Sequence, residues 1–72
     1  MAPEGFKLAI ENVDGCNYYK DDSGRWYMYI VEMKFGTHVF QSDVIAACKK
    51  SADKKALLAK HFPMAYNASY CN

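Results

Sequence analysis

The stretch that decides the fold is Asn17-Tyr18-Tyr19-Lys20-Asp21-Asp22-Ser23-Gly24-Arg25-Trp26-Tyr27-Met28-Tyr29-Ile30-Val31. It reads as two strands joined by a turn. Asp and Ser bond local backbone and Gly accepts positive φ, so Asp21-Asp22-Ser23-Gly24 favours a reversal between aromatic runs. The second run is apolar or aromatic on both of its faces, and five of the chain's eleven aromatic residues lie here.

Outward from this hairpin, Phe6, Leu8 and Ile10 alternate with Lys7, Ala9 and Glu11, the period-2 signature of a strand over about 6–13 with one buried face. Strands are expected at 17–20 and 25–34. A reversal at Phe35-Gly36-Thr37 leads to a short fourth strand at 38–41, so brief connections imply an antiparallel meander. Ser42 supplies a capping hydroxyl and Asp43 a negative charge for the first turn of a helix over about 43–62. Val44, Ile45, Ala47, Cys48, Ala52, Ala56, Leu58, Ala59 and Phe62 share one arc of that helix; Ser51 would cap a second helix if the chain bends there. Pro63 ends it, and a tail over 63–72 is expected to fold back on the domain. The expected fold is α+β: three or four antiparallel strands on one C-terminal amphipathic helix, forming a single small domain over 1–72.

A chain of 72 residues buries only about 60% of the surface its unfolded form exposes, which disfavours a deep substrate cavity. No apolar stretch reaches the length of a membrane span, and the N-terminal residues lack a secretion signal, so a cytoplasmic location is expected. Cys16, Cys48 and Cys71 are odd in number and have no metal-ligand spacing, and Cys16, His38, His61 and Cys71 are scattered; thiols, no metal and no cofactor are expected. No nucleophile stands beside an oriented histidine in sequence, so no enzyme and no small-molecule substrate are expected.

One helix cannot cover both faces of such a sheet. On the third strand Trp26, Met28 and Ile30 are the favoured core set, which leaves Tyr27 and Tyr29 outward with a tyrosine of the neighbouring strand. Tyr, Trp, Met and Arg are enriched at interaction hot spots. Tyr18, Tyr27, Tyr29 and Arg25 are therefore the expected contact residues, with Asp21 and Asp22 at an acidic rim. The alternative is that cross-strand packing alone accounts for the aromatics, the face being covered by the tail or by a second copy.

The order Tyr18-Tyr19-Lys20, Gly24-Arg25-Trp26, Phe40, an alanine-containing helix from Asp43 and finally Asn67 resembles the AP2 type of DNA-binding domain. The resemblance implies a sheet packed on a helix, with the sheet reading duplex DNA through Arg25 and Trp26 and with Lys20 and Lys34 nearby. The small size, few cysteines and aromatic sheet are also similar to phage-encoded inhibitors of host defence complexes, anti-CRISPR proteins among them. That likeness implies stoichiometric contact with a host protein or nucleoprotein complex.

Charge ranks these readings. Residues 1–45 carry four basic and seven acidic side chains, whereas residues 46–72 carry five lysines against Asp53. Phosphate binding needs a basic sheet, and this sheet half is acidic. An inhibitory protein-protein contact therefore ranks first, a duplex-DNA reader second, and a self-associating structural protein third.

Overall fold

The computed structural model describes residues 2–70. Four strands, β1 (Lys7–Val13), β2 (Cys16–Lys20), β3 (Trp26–Ile30) and β4 (Phe35–Val39), form one antiparallel sheet in the order β1-β2-β3-β4. Three helices succeed them: α1 (Gln41–Lys49), α2 (Lys54–His61) and α3 (Pro63–Tyr70). The architecture is the expected α+β meander, with three short helices where one long helix was expected.

Each turn has a local cause. Asp14 and Gly15 both adopt positive φ, 52° and 80°, between the paired residues Val13 and Cys16, which is the geometry of a two-residue hairpin whose twist suits its strands. Between β2 and β3 the Gly24 N–H donates to the Asp21 carbonyl, and Gly24 takes φ 87°. The third reversal spans Val31–Lys34, with Lys34 at φ 53°, and not Phe35–Thr37. Strand β3 therefore stops at Ile30 and β4 begins at Phe35, three residues before the expected 38.

The helical layer departs further. Helix α1 starts at Gln41, just ahead of Ser42, because Asp43 accepts the Phe40 backbone N–H at 2.8 Å and so caps the end in place of a serine hydroxyl. The chain bends after Lys49. The Ser51 hydroxyl accepts the Asp53 N–H at 3.1 Å, a local turn that competes with helix, and α2 resumes at Lys54. The bend leaves Ala52, Ala56 and Ala59 exposed and seats Val44, Cys48, Leu58 and Phe62 against the sheet. Pro63 ends α2 and occupies the first position of α3, where its missing N–H costs nothing. The expected tail is thus a helix, and its Ala65, Tyr66 and Tyr70 pack on the core. Cys71 lies outside the described residues.

At eight or nine residues, each helix is too short to persist alone in water, so tertiary packing holds all three. The core consists of Ile10, Val13, Tyr18, Trp26, Val44, Cys48, Leu58 and Phe62. All of its strand residues come from one face of the sheet. Two irregularities in β1 achieve this: register shifts between Leu8 and Ile10 and between Ile10 and Val13. An extra residue in a strand re-aims the side chains beyond it. Ile10 and Val13 both reach the core, whereas Leu8, two residues before Ile10, stays 49% exposed on the other side. The simple alternation expected for Phe6, Leu8 and Ile10 is broken at Ala9.

Candidate functional site

The face turned away from the helices carries a row of side chains set by strand register. Leu8 pairs with Tyr19, Tyr19 with Tyr27, and Tyr27 with His38, so one residue from each strand falls in line. A second row runs from Asn17 through Tyr29 to Gly36. Directly opposed residues on one face of an antiparallel pair touch, and these rows are the physical unit of the surface.

Phe6 completes it from the segment before β1. Its ring centroid lies 6.0 Å from that of Tyr27 and 5.6 Å from that of His38, and the Tyr27 and His38 rings meet edge-on at 5.1 Å. The Arg25 guanidinium carbon stands 5.8 Å from the Phe6 ring centre. Gly36 explains how Tyr27 lies down on the strand: a Cβ there would come within 2.6 Å of the Tyr27 ring carbons. Absence of a side chain at 36 is what lets the phenol cover β4.

Tyr27 and Tyr29 occupy the outward face as expected, both half-buried, with Trp26 and Met28 on the core side. The neighbouring-strand tyrosine is Tyr19. Tyr18, expected among the contact residues, is only 4% exposed, because its register partners Ile10 and Met28 place it on the helix side. Withdrawal from water, with Cys16, Cys48, Asp14 and Asp43 nearby, pushes its hydroxyl up to about 12, so it is a neutral core group.

Asp21 is also committed elsewhere. Its carboxylate accepts the Ser23 N–H, the Ser23 hydroxyl, the Arg25 N–H and the Arg25 Nε, at 2.7–3.1 Å. Partial withdrawal from water opposes ionisation, but the bonds from Arg25 and Ser23 and the Arg25 charge outweigh it and hold the carboxyl down at about 2. Asp21 is the brace of the β2–β3 turn, with a side chain 8% exposed, whereas its partner Arg25 is 72% exposed. Asp22 remains on the surface.

The four residues carried over from the AP2 resemblance do not share a surface. Trp26 is 3% exposed in the core against Phe62, so it is removed from contact with any ligand on the sheet. Lys20, its register partner, sets Nζ 5.5 Å from the Trp26 ring centre on the helix side. Arg25 and Lys34 stand beyond opposite ends of β3. The open face as built is aromatic, with Arg25 and His38 at one end.

Phe6, Leu8, Tyr19 and His38 are surface residues that the sequence pattern does not single out. For Tyr19 a signal exists: once Trp26 and Met28 are inward, hairpin pairing of 19 with 27 sends Tyr19 outward. For Phe6 and Leu8 there is none, since the β1 irregularities have no marker in the composition of the strand. An open depression of about 630 Å3 lies at the far end of the sheet, lined by Glu11, Asn12, Gly15, Asn17, Val31 and Glu32. Among the described residues no group of three or more His, Cys, Asp or Glu side chains is placed to hold a metal ion, and no helix is long and apolar enough to cross a membrane. Comparison with protein families, with curated proteins and with solved structures found no match in any of the three.

Proposed function

We propose that this protein is a non-catalytic binding protein that inhibits a host macromolecular complex by stoichiometric protein-protein contact through its open sheet face. The carrying observation is the continuous row Leu8, Tyr19, Tyr27 and His38, extended by Phe6 and Tyr29, which no described element covers. Aromatic side chains held in place by the strands give large contact area at low entropic cost, which suits recognition. The acidic sheet half suits a basic groove, where opposite charge speeds encounter and disfavours wrong partners.

The test is capture of the target by immobilised protein, and then titration against the target's activity. Inhibition that saturates at one equivalent, and is lost in Tyr27→Ala with folding intact by circular dichroism, supports the reading. Inhibition far below one equivalent points to turnover and overturns it. Retardation of duplex DNA that falls steeply between two salt concentrations and is lost in Arg25→Ala would replace it with the AP2-like reading.

A further inference from the structure

The two edges of the sheet are unlike. β1 is blunted as natural edges are: its register shifts twice, Asn12 sits at φ 58°, and Lys7 and Glu11 add charge. β4 has none of these devices. It pairs with β3 residue for residue over Phe35–Val39, and no Asp, Glu, Lys or Arg occurs between Phe35 and Ser42.

Hydrogen-bond parity shows which of its amides are free. The Val31 N–H donates to Gly15, on the β2 side, and the Arg25 carbonyl accepts from Asp21 on that same side. Alternation along β3 then turns the backbone groups of Trp26, Met28 and Ile30 toward β4. Their register partners Val39, Thr37 and Phe35 face inward in return, so Gly36 and His38 point both N–H and C=O out of the sheet. Among the described residues no backbone group outside the ladder bonds to either. The Thr37 hydroxyl donates to the His38 carbonyl at 3.5 Å, the outer limit of a hydrogen bond.

Exposed apolar side chains lie on this strand and directly after it. Among the described residues, Phe35 at the start of β4 is 52% exposed and Phe40, next after its last residue, is 79% exposed. The segment is also self-complementary. A two-fold axis at Thr37 sets Gly36 opposite His38 of the second copy as a hydrogen-bonded pair, and Phe35 opposite Val39. No like charges meet within the paired strands.

We propose that β4 is an association edge, pairing antiparallel about Thr37 with β4 of a second copy of this chain to extend the sheet across the two-fold axis. The contact is made by the backbone of Gly36 and His38, so it leaves the side chains of the open-face row, His38 included, on the outward face, while Phe35, Thr37 and Val39 project to the helix side.

Sedimentation equilibrium of the full chain, with amide hydrogen exchange at matched concentrations, tests it. The expected result is a mass rising with concentration toward twice the 8.2 kDa of the chain. The Gly36 and His38 amides should gain protection in parallel. Thr37→Lys, which places two like charges face to face, and Phe35→Glu should each return the mass to that of one chain while circular dichroism stays unchanged. A single-chain mass at every concentration overturns the proposal. So does association that survives both variants, or that leaves Gly36 and His38 exchange untouched. Neither variant alters the open-face row, so target capture by these proteins separates failure of this proposal from failure of the inhibitory reading.

Discussion

Tyr18 and Tyr19 are consecutive and chemically identical, yet one is sealed in the core and the other lies on the open face; Trp26 and Tyr27 repeat the contrast on the next strand. The difference between the two faces owes nothing to residue type. It arises from strand parity and from the side on which Val44, Cys48, Leu58 and Phe62 are laid down. On the covered side aromatics stabilise the fold; on the other side the same kind of ring is available to a partner.

Substitution is the direct way to break this comparison. Trp26→Ala should cost about 3–5 kcal/mol, comparable with the whole stability of a domain this small, and urea denaturation should show little or no folded baseline. Trp26→Phe should cost far less. It keeps a ring against Phe62 and removes a buried Nε1–H that has no acceptor among the described residues. Gly36→Ala comes next, at about 1–3 kcal/mol, since the new methyl must push the Tyr27 ring aside. Amide and ring shifts at Tyr27 and His38 in NMR spectra should report that displacement. Tyr27→Ala should lower stability by only about 1 kcal/mol while weakening target capture at least tenfold, the signature of a ring that serves binding more than folding.

Titration sharpens the contrast with smaller effects. Withdrawal from water, with Lys60 and Lys20 nearby, holds His61 below its ordinary 6.5. The unfolded chain therefore takes up that proton first, and stability should fall as pH drops below 6.5; His61→Gln should flatten this part of the profile. Asp21 acts lower. Its contribution is complete above 3.8 and is lost as pH falls toward about 2, so Asp21→Asn should abolish the acid-side slope in thermal melts between those values.

Much of this is legible in the chain itself. The meander, the turn at Asp21–Gly24 and the inward set Trp26 and Met28 come from alternation and turn chemistry. The bend at Ser51 is visible only as a competing option, because the apolar phase runs unbroken from Val44 to Phe62 and no proline interrupts it. The alanines at 52, 56 and 59 share that phase but are exposed, since two short helices reach the sheet at different angles than one long one would. On the sheet, Tyr18 lies on the side opposite to the expected one because a strand of five residues has too few positions to fix its own parity. Its register with Met28 fixes it instead. Leu8 is hidden by the shifts in β1, which depend on backbone pairing more than on residue identity.

Those shifts also bear on how far any association can go. Joining two chains along β4 leaves β1 as the outermost strand at both ends of the enlarged sheet, and its kinked, charged outline accepts no further neighbour. The chain thus carries one reactive end and one chain-stopper, so growth halts at two copies and is spared the elongation that would yield a fibre.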